Sequence, residues 1–221
     1  MSKNSKTKKP WPTKDAMVQI YENNLWGGDK SEFYSGSGSH QPETVKPYLA
    51  VVSAFLSKFE TPPIVCDLGC GDFNVGKDLV KYSGKYIALD IVPELIAYNR
   101  KKFKTENLEF CTLDLAKDEL PSGDIAILRQ VLQHLSNEEI KSLVQKLYNF
   151  KYVLLTEHIP EGDFEPNKNI ISGQGTRLKK QSGVVLSASP FNFQAREEKQ
   201  LVSVQSPGFK GVLVTTLYKL K

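Results

Sequence analysis

The segment Ile64-Val65-Cys66-Asp67-Leu68-Gly69-Cys70-Gly71-Asp72 puts an acid at the end of an apolar run, then two glycines one residue apart, then a second acid. A strand buried on both faces requires such a run. Glycines let a ligand approach the backbone of the turn that follows. A dinucleotide-binding turn, Gly-x-Gly-x-x-Gly, seats a pyrophosphate on a helix N-terminus. Here Asn74 stands where the third glycine would be, and Asp67 and Asp72 flank the turn. Carboxylates repel phosphate and attract cations, so the ligand chemistry expected is that of a positively charged amino-acid group.

Two further apolar runs end in acids. Tyr86-Ile87-Ala88-Leu89-Asp90-Ile91 carries Asp90, 23 residues after Asp67, about one strand-helix-strand unit. An acid there can accept hydrogen bonds from both hydroxyls of a ribose, in NAD enzymes as elsewhere, so Asp90 alone does not separate the cofactors. Leu108 to Asp114 closes the third run. The histidines fall in a Gly/Ser-rich loop (His40), after the fourth run (His134) and at the end of the fifth (His158). All three can reach the carboxyl edge of an open α/β sheet, where ligands bind. His134 is the first candidate for a catalytic base, since an imidazole of pKa about 6.5 suits proton transfer near neutral pH. A helix-cap or packing role is its alternative, and Glu157 with His158 is the second pair. Arg129, Arg177, Lys179 and Lys180 are candidates to hold an anionic acceptor. Cys66 and Cys70 lack a second pair of ligands, so no metal site is expected.

The Asp-x-Gly-x-Gly motif at Asp67–Gly71, the acids ending the next two runs, and Asp124-Ile125-Ala126-Ile127-Leu128-Arg129-Gln130-Val131-Leu132-Gln133-His134-Leu135 together resemble class I S-adenosylmethionine-dependent methyltransferases, over about residues 60–157. The resemblance implies a Rossmann-like, doubly wound α/β fold with a seven-stranded, mostly parallel sheet, and S-adenosylmethionine as cofactor. It implies cofactor contacts from Asp67, Gly69, Cys70, Gly71, Asp72 and Phe73 in the first turn, from Asp90 and Ile91 in the second, and from Asp114 and Leu115 at the adenine edge. Arg129 and Gln130, ending the fourth strand, complete that set, with His134 as the catalytic residue. Trp26-Gly27, Ser35-Gly36-Ser37-Gly38-Ser39 with Thr44, Gln133-His134-Leu135-Ser136, Gly175-Thr176-Arg177 and Pro190-Phe191 resemble a narrower group of small bacterial methyltransferases, often encoded among genes for surface glycans or secondary metabolites. The implied reaction is O-methylation of a small molecule or glycan; an RNA or protein methyltransferase is the alternative. One departure bears on the substrate: an acid is expected just before Val131, and Arg129-Gln130 stands there. The Asn/Asp-Pro-Pro-aromatic motif of enzymes acting on base amines is missing, as is a basic stripe with interleaved aromatics. A cofactor fold kept without turnover, and an NAD oxidoreductase, are the remaining readings; the absent third glycine disfavours the latter.

These residues need a scaffold of alternating elements. Strands are expected at 64–69, 86–91, 108–114, 124–129 and 152–157, and helices at 75–83, 93–103 and 136–149. Ser136 with Glu139 forms a capping box. Alternation of this kind gives a parallel sheet with helices on both faces. Strands at 201–204 and 212–218, one of them antiparallel, close the sheet. Ahead of the core come a helix at 15–24 with Asp15 as N-cap, a loop at 25–42, and a helix at 43–59. The loop carries Trp26, Phe33, Tyr34 and His40 and is long enough to serve as a lid. Residues 159–199, rich in glycine and proline, read as a substrate-side insertion. The chain thus divides into a disordered basic tail (1–14), N-terminal helices with a lid loop (15–59) and a methyltransferase core (60–221).

With 221 residues, 40% hydrophobic and 24% charged, the chain suits one soluble α/β domain. No apolar run approaches the roughly 20 residues of a membrane span, and no secretory leader is visible. An odd number of cysteines beside buried strands implies reduced thiols and a cytoplasmic protein. The net charge of +4 arises mostly from Lys3, Lys6, Lys8, Lys9 and Lys14. That cluster reads as a solvated terminus and not as a nucleic-acid arm. The oligomeric state is left open.

Overall fold

The structure, a computed structural model, describes residues 11–29, 32–205, 208 and 210–221. The expected tail falls outside these residues up to position 10. Beyond it the chain is already ordered: α1 spans Thr13–Glu22, so the helix starts before Asp15, which lies in its first turn while Pro12 is the N-cap. A 3₁₀ turn, Ser37–Ser39, and α2 (Pro42–Leu56) follow.

The core strands are β1 (Ile64–Leu68), β2 (Lys85–Asp90), β3 (Leu108–Thr112), β4 (Ile125–Arg129), β5 (Tyr152–Ile159), β6 (Glu197–Gln205) and β7 (Val212–Lys219). They form one sheet in the order β3-β2-β1-β4-β5-β7-β6. All neighbouring pairs from β3 to β5 are parallel, and β7 runs antiparallel to both β5 and β6. This is the doubly wound, mostly parallel seven-stranded sheet. Strand order reverses between β1 and β4, and a crevice opens outside the strand ends at such a switch point.

Side chains alternate across the sheet. Cys66, Leu68, Ala126, Leu128, Val153 and Leu155 face α4 (Asn137–Leu147), which contributes Ile140, Leu143, Val144 and Leu147 at helical spacing. Val65, Tyr86, Ala88, Ile125, Ile127 and Leu154 face α2, which contributes Tyr48, Val52 and Leu56. α3 (Pro93–Lys102) adds Ile96 to that second layer. Ser136 and Glu139 close the expected capping box of α4.

Two expectations are corrected. The helix at 75–83 is instead a pair of 3₁₀ turns, Gly76–Asp78 and Val80–Tyr82. Gly76 carries the helix penalty of about 1 kcal/mol relative to alanine. A Cβ there would lie 2.4 Å from the Phe73 ring and 2.8 Å from Asp67, so the glycine is required by packing. The stretch 159–199 is only partly a substrate-side insertion. Val184, Leu186, Phe191 and Phe193 are buried in the core layer beside α4.

Candidate active site

The turn after β1 is shaped by its neighbours. Gly69 and Gly71 have φ of +88° and +56°. A Cβ on Gly69 would meet Val131 at 2.5 Å, and one on Gly71 would meet Ser35 at 2.4 Å. The two glycines therefore bring the β1 turn, the segment after β4 and the Gly/Ser loop into contact. The Gly69 and Cys70 amides both donate to the Leu89 carbonyl, each at 2.8 Å.

Asp67, at the end of β1, is buried and accepts a hydrogen bond from the Tyr86 hydroxyl at 2.9 Å. Burial pushes its carboxyl up to about 7 against the opposing effect of that bond. Asp90 accepts from the Gly71 amide (3.1 Å) and the Val92 amide (3.1 Å); burial outweighs these bonds and raises it to about 6. Both acids are thus short of positive charge, and a cationic ligand would supply it. Asp114 is pinned by the Ala116 amide and Lys117.

Asp72 does different work. Its carboxylate accepts from the Ser35 amide (2.8 Å) and the Asn74 amide (3.1 Å) and pairs with His40 Nε2 (2.6 Å). His40 in turn stacks on Tyr34. Arg129 fastens the other side of the same loop: Nη2 donates to the Gly38 carbonyl (2.7 Å), Nη1 to Ser39 Oγ (3.2 Å), and the guanidinium lies over the Tyr48 ring. The Gly/Ser loop is held at both edges by side chains that the sequence marked as cofactor contacts. Gln130 follows with φ of +58°.

His134 sits in the 3₁₀ turn Leu132–His134. Nδ1 faces the Gly173 carbonyl at 3.1 Å and so carries the proton, while Nε2 lies 3.3 Å from the Gln133 amide nitrogen, which donates to it. Burial lowers the imidazole pKa to about 4, outweighing the Gly173 bond. The expectation of an unperturbed base near 6.5 is corrected accordingly. Trp26 packs on the ring, centroids 5.1 Å apart. Two buried groups support this turn. Glu157 accepts from the Leu132 and Gln133 amides (2.8 and 3.0 Å), its carboxyl pushed by burial to about 8. Arg177, fully buried, donates to the carbonyls of Leu132, Leu135 and Lys168 and to Asn137. It is therefore not available to hold an anionic acceptor.

These groups surround a cavity of about 710 Å³ along the carboxyl edge of the sheet. Asp67, Gly69, Cys70, Gly71, Asp72, Asp90, Ile91, Asp114, Leu115, Arg129, Gln130 and His134 all line it. Phe73 does not. Its ring is buried on Tyr86, Phe103 and Phe110, because the backbone at φ +61° turns the side chain into the core, so the expected cofactor contact is corrected. Sequence reasoning missed Met17 and Tyr21 of α1, which also line the cavity. The helix at 15–24 was expected, but not the surface it covers. Among the described residues, no helix is long and apolar enough to cross a membrane.

A family model described as a methyltransferase domain matches residues 65–150. Acetylserotonin O-methyltransferase of Homo sapiens is 31% identical over 105 residues, 45% of this chain and 30% of that protein. The Bos taurus enzyme is 32% identical over 103 residues, 44% of this chain and 29% of that protein. The matched segment thus spans less than a third of the length of these curated relatives. In the crystal structure of human N-acetylserotonin methyltransferase in complex with SAM, the same architecture covers 95% of this chain and 60% of that one, with a TM-score of 0.59 at 20% identity. The N-methyltransferase NodS from Bradyrhizobium japonicum WM9 with S-adenosyl-l-homocysteine superposes with a TM-score of 0.68 at 10% identity, covering 93% of this chain and 99% of that one.

Proposed function

We propose, from the premise that residues 65–150 are a class I S-adenosylmethionine-dependent methyltransferase domain, that this chain methylates an oxygen of a small molecule, a free metabolite or a glycan unit. The observation that carries the reading is the meeting of Asp67, Asp90, Asp114 and His134 around one cavity at the strand ends. The cofactor supplies a methyl group on a sulfonium. The acidic half of the cavity suits a ligand bearing an ammonium and a ribose: Asp67 would face the ammonium, Asp90 the ribose hydroxyls, and Asp114 with the Leu115 amide the adenine edge. Pre-positioning two reactants in a near-attack geometry can contribute up to about 7–11 kcal/mol of barrier reduction.

His134 is proposed to receive the acceptor's proton. With the cofactor bound to supply the methyl group, the acceptor hydroxyl would lie against Nε2, which would take its proton. An imidazole of pKa about 4 is a weak base, but a hydroxyl becomes a very strong acid once its oxygen is alkylated. A neutral lone pair is sufficient once the acceptor hydroxyl displaces the Gln133 amide that donates to it in the structure. The name of the human and bovine relatives specifies O-methylation and favours oxygen as the acceptor atom.

Calorimetric titration with S-adenosylmethionine, S-adenosylhomocysteine and NADH tests the reading. Binding of the sulfur ligands and not NADH is expected. NADH binding with no response to the other two would overturn it.

A further inference from the structure

Apart from Arg129, which ends β4 and is bound to the Gly/Ser loop, the charged groups around the cavity are sorted by sign along the sheet. The acids come from the ends of β1, β2 and β3 and from the turn after β1, with Glu139 at the start of α4. Glu139 is occupied by Ser136, Ser172 and Thr13. From β5 onward no lining residue is acidic, and two are lysines, Lys179 and Lys210. They arrive from separate segments: Lys179 from the 3₁₀ turn Arg177–Lys180, Lys210 from the connection entering β7. Both segments are anchored. Arg177 ties the first to the turn after β4 through its buried hydrogen bonds to the Leu132 and Leu135 carbonyls. Gly211 anchors the second: His158 bonds to its backbone, and a Cβ on it would lie 2.2 Å from the Ile159 carbonyl and 3.3 Å from Leu178. Neither lysine forms an ion pair among the described residues. Two exposed lysines without an ion pair among the described residues, delivered by two anchored segments to the lining of one cavity, form a site for negative charge.

We propose that the methyl acceptor carries an oxyanion, a carboxylate or phosphate, held by Lys179 and Lys210 at the β5–β7 end of the cavity while its hydroxyl lies at His134. This deepens the methyltransferase reading and rests on it for the role of acceptor, although the anion site itself does not. The acids at the β1–β3 end disfavour an anion there, so the sign pattern also fixes which way such an acceptor enters.

The test uses the full chain saturated with S-adenosylhomocysteine and titrated calorimetrically with 4-hydroxybenzoate, 4-hydroxyphenyl phosphate and the neutral 4-hydroxybenzamide. One or both oxyanion probes should bind at least about tenfold more tightly than the amide, and which does so separates carboxylate from phosphate. Added salt should shrink that preference. Lys179→Gln/Lys210→Gln should abolish it and leave S-adenosylhomocysteine affinity unchanged. Equal affinity for charged and neutral probes, a preference that survives the double substitution, or no binding of any probe would overturn the proposal. Oxyanion binding without any S-adenosylhomocysteine binding would instead overturn the methyltransferase reading and leave the anion site standing.

Discussion

Asp67 is the residue whose titration reports most directly on the ligand. Burial raises its carboxyl to about 7, so below that pH it is largely neutral and above it charged. A cationic ligand interacts with the charged form, so binding should strengthen as pH rises through about 7 and release a proton below it. Titrations in buffers of differing ionisation enthalpy measure that proton; an uptake, or affinity flat from pH 6 to 8, would remove the ammonium from Asp67. Asp90→Ala should weaken S-adenosylmethionine binding by about 1–3 kcal/mol, the cost of leaving ribose hydroxyls unpaired. Unchanged affinity would contradict the ribose assignment. His134→Ala should lower turnover while S-adenosylhomocysteine still binds. Because the imidazole is already neutral well above pH 4, kcat at saturating cofactor should show no inflection near 6.5 from this group. The acids were legible in sequence because each closes an apolar run, and strand ends in such a sheet meet at one edge. Phe73 was not, because a residue in a turn can point to either side and only the left-handed backbone at this position decides it.

Between β4 and α4 the chain makes a short 3₁₀ turn that carries His134, and two buried polar side chains hold it from both ends. The Glu157 carboxyl group caps its first amides, and the Arg177 guanidinium takes the Leu132 and Leu135 carbonyls. Arg177 arrives from the stretch after β5 and is buried although Lys179, Lys180 and Gln181 beside it are exposed. Arg177→Ala would strand these carbonyls, and hydrogen bonds from charged groups contribute about 1.5–3 kcal/mol each. A loss of about 3 kcal/mol or more in urea unfolding is expected, with turnover falling at temperatures where the protein stays folded. A loss below 1 kcal/mol would mean that water replaces the guanidinium. No sequence signal marks this clamp: Arg177 reads as a candidate to hold an anionic acceptor, and only the fold shows it buried against backbone carbonyls. The strands, α3 and α4 were legible within a few residues because apolar period and caps agree. The segment 75–83 failed because tertiary packing of Gly76 against Phe73 and Asp67 overrides helical periodicity.

At the scale of the whole molecule, the cavity is closed by a loop that touches both halves of the switch point. Ser35 and His40 hold Asp72 beside β1, and Gly38 and Ser39 hold Arg129 at the end of β4. Ser35–Ser39 all line the cavity, and if they act as a lid a bound ligand leaves only when at least one of these fastenings opens. Lid opening of this kind commonly limits product release. Asp72→Ala removes the acceptor for the Ser35 amide and the partner of His40 but leaves the Arg129 fastening and the β1 turn glycines in place. Hydrogen bonds to a charged acceptor contribute about 1.5–3 kcal/mol, so dissociation of S-adenosylhomocysteine should accelerate by roughly tenfold or more. Arg129→Gln should act on the opposite fastening with a similar sign, and the double variant should release faster than either alone. Stopped-flow displacement gives these rates directly. If Asp72→Ala weakens affinity only through a slower on-rate, with dissociation unchanged, the loop is part of the binding surface and not a lid that gates release.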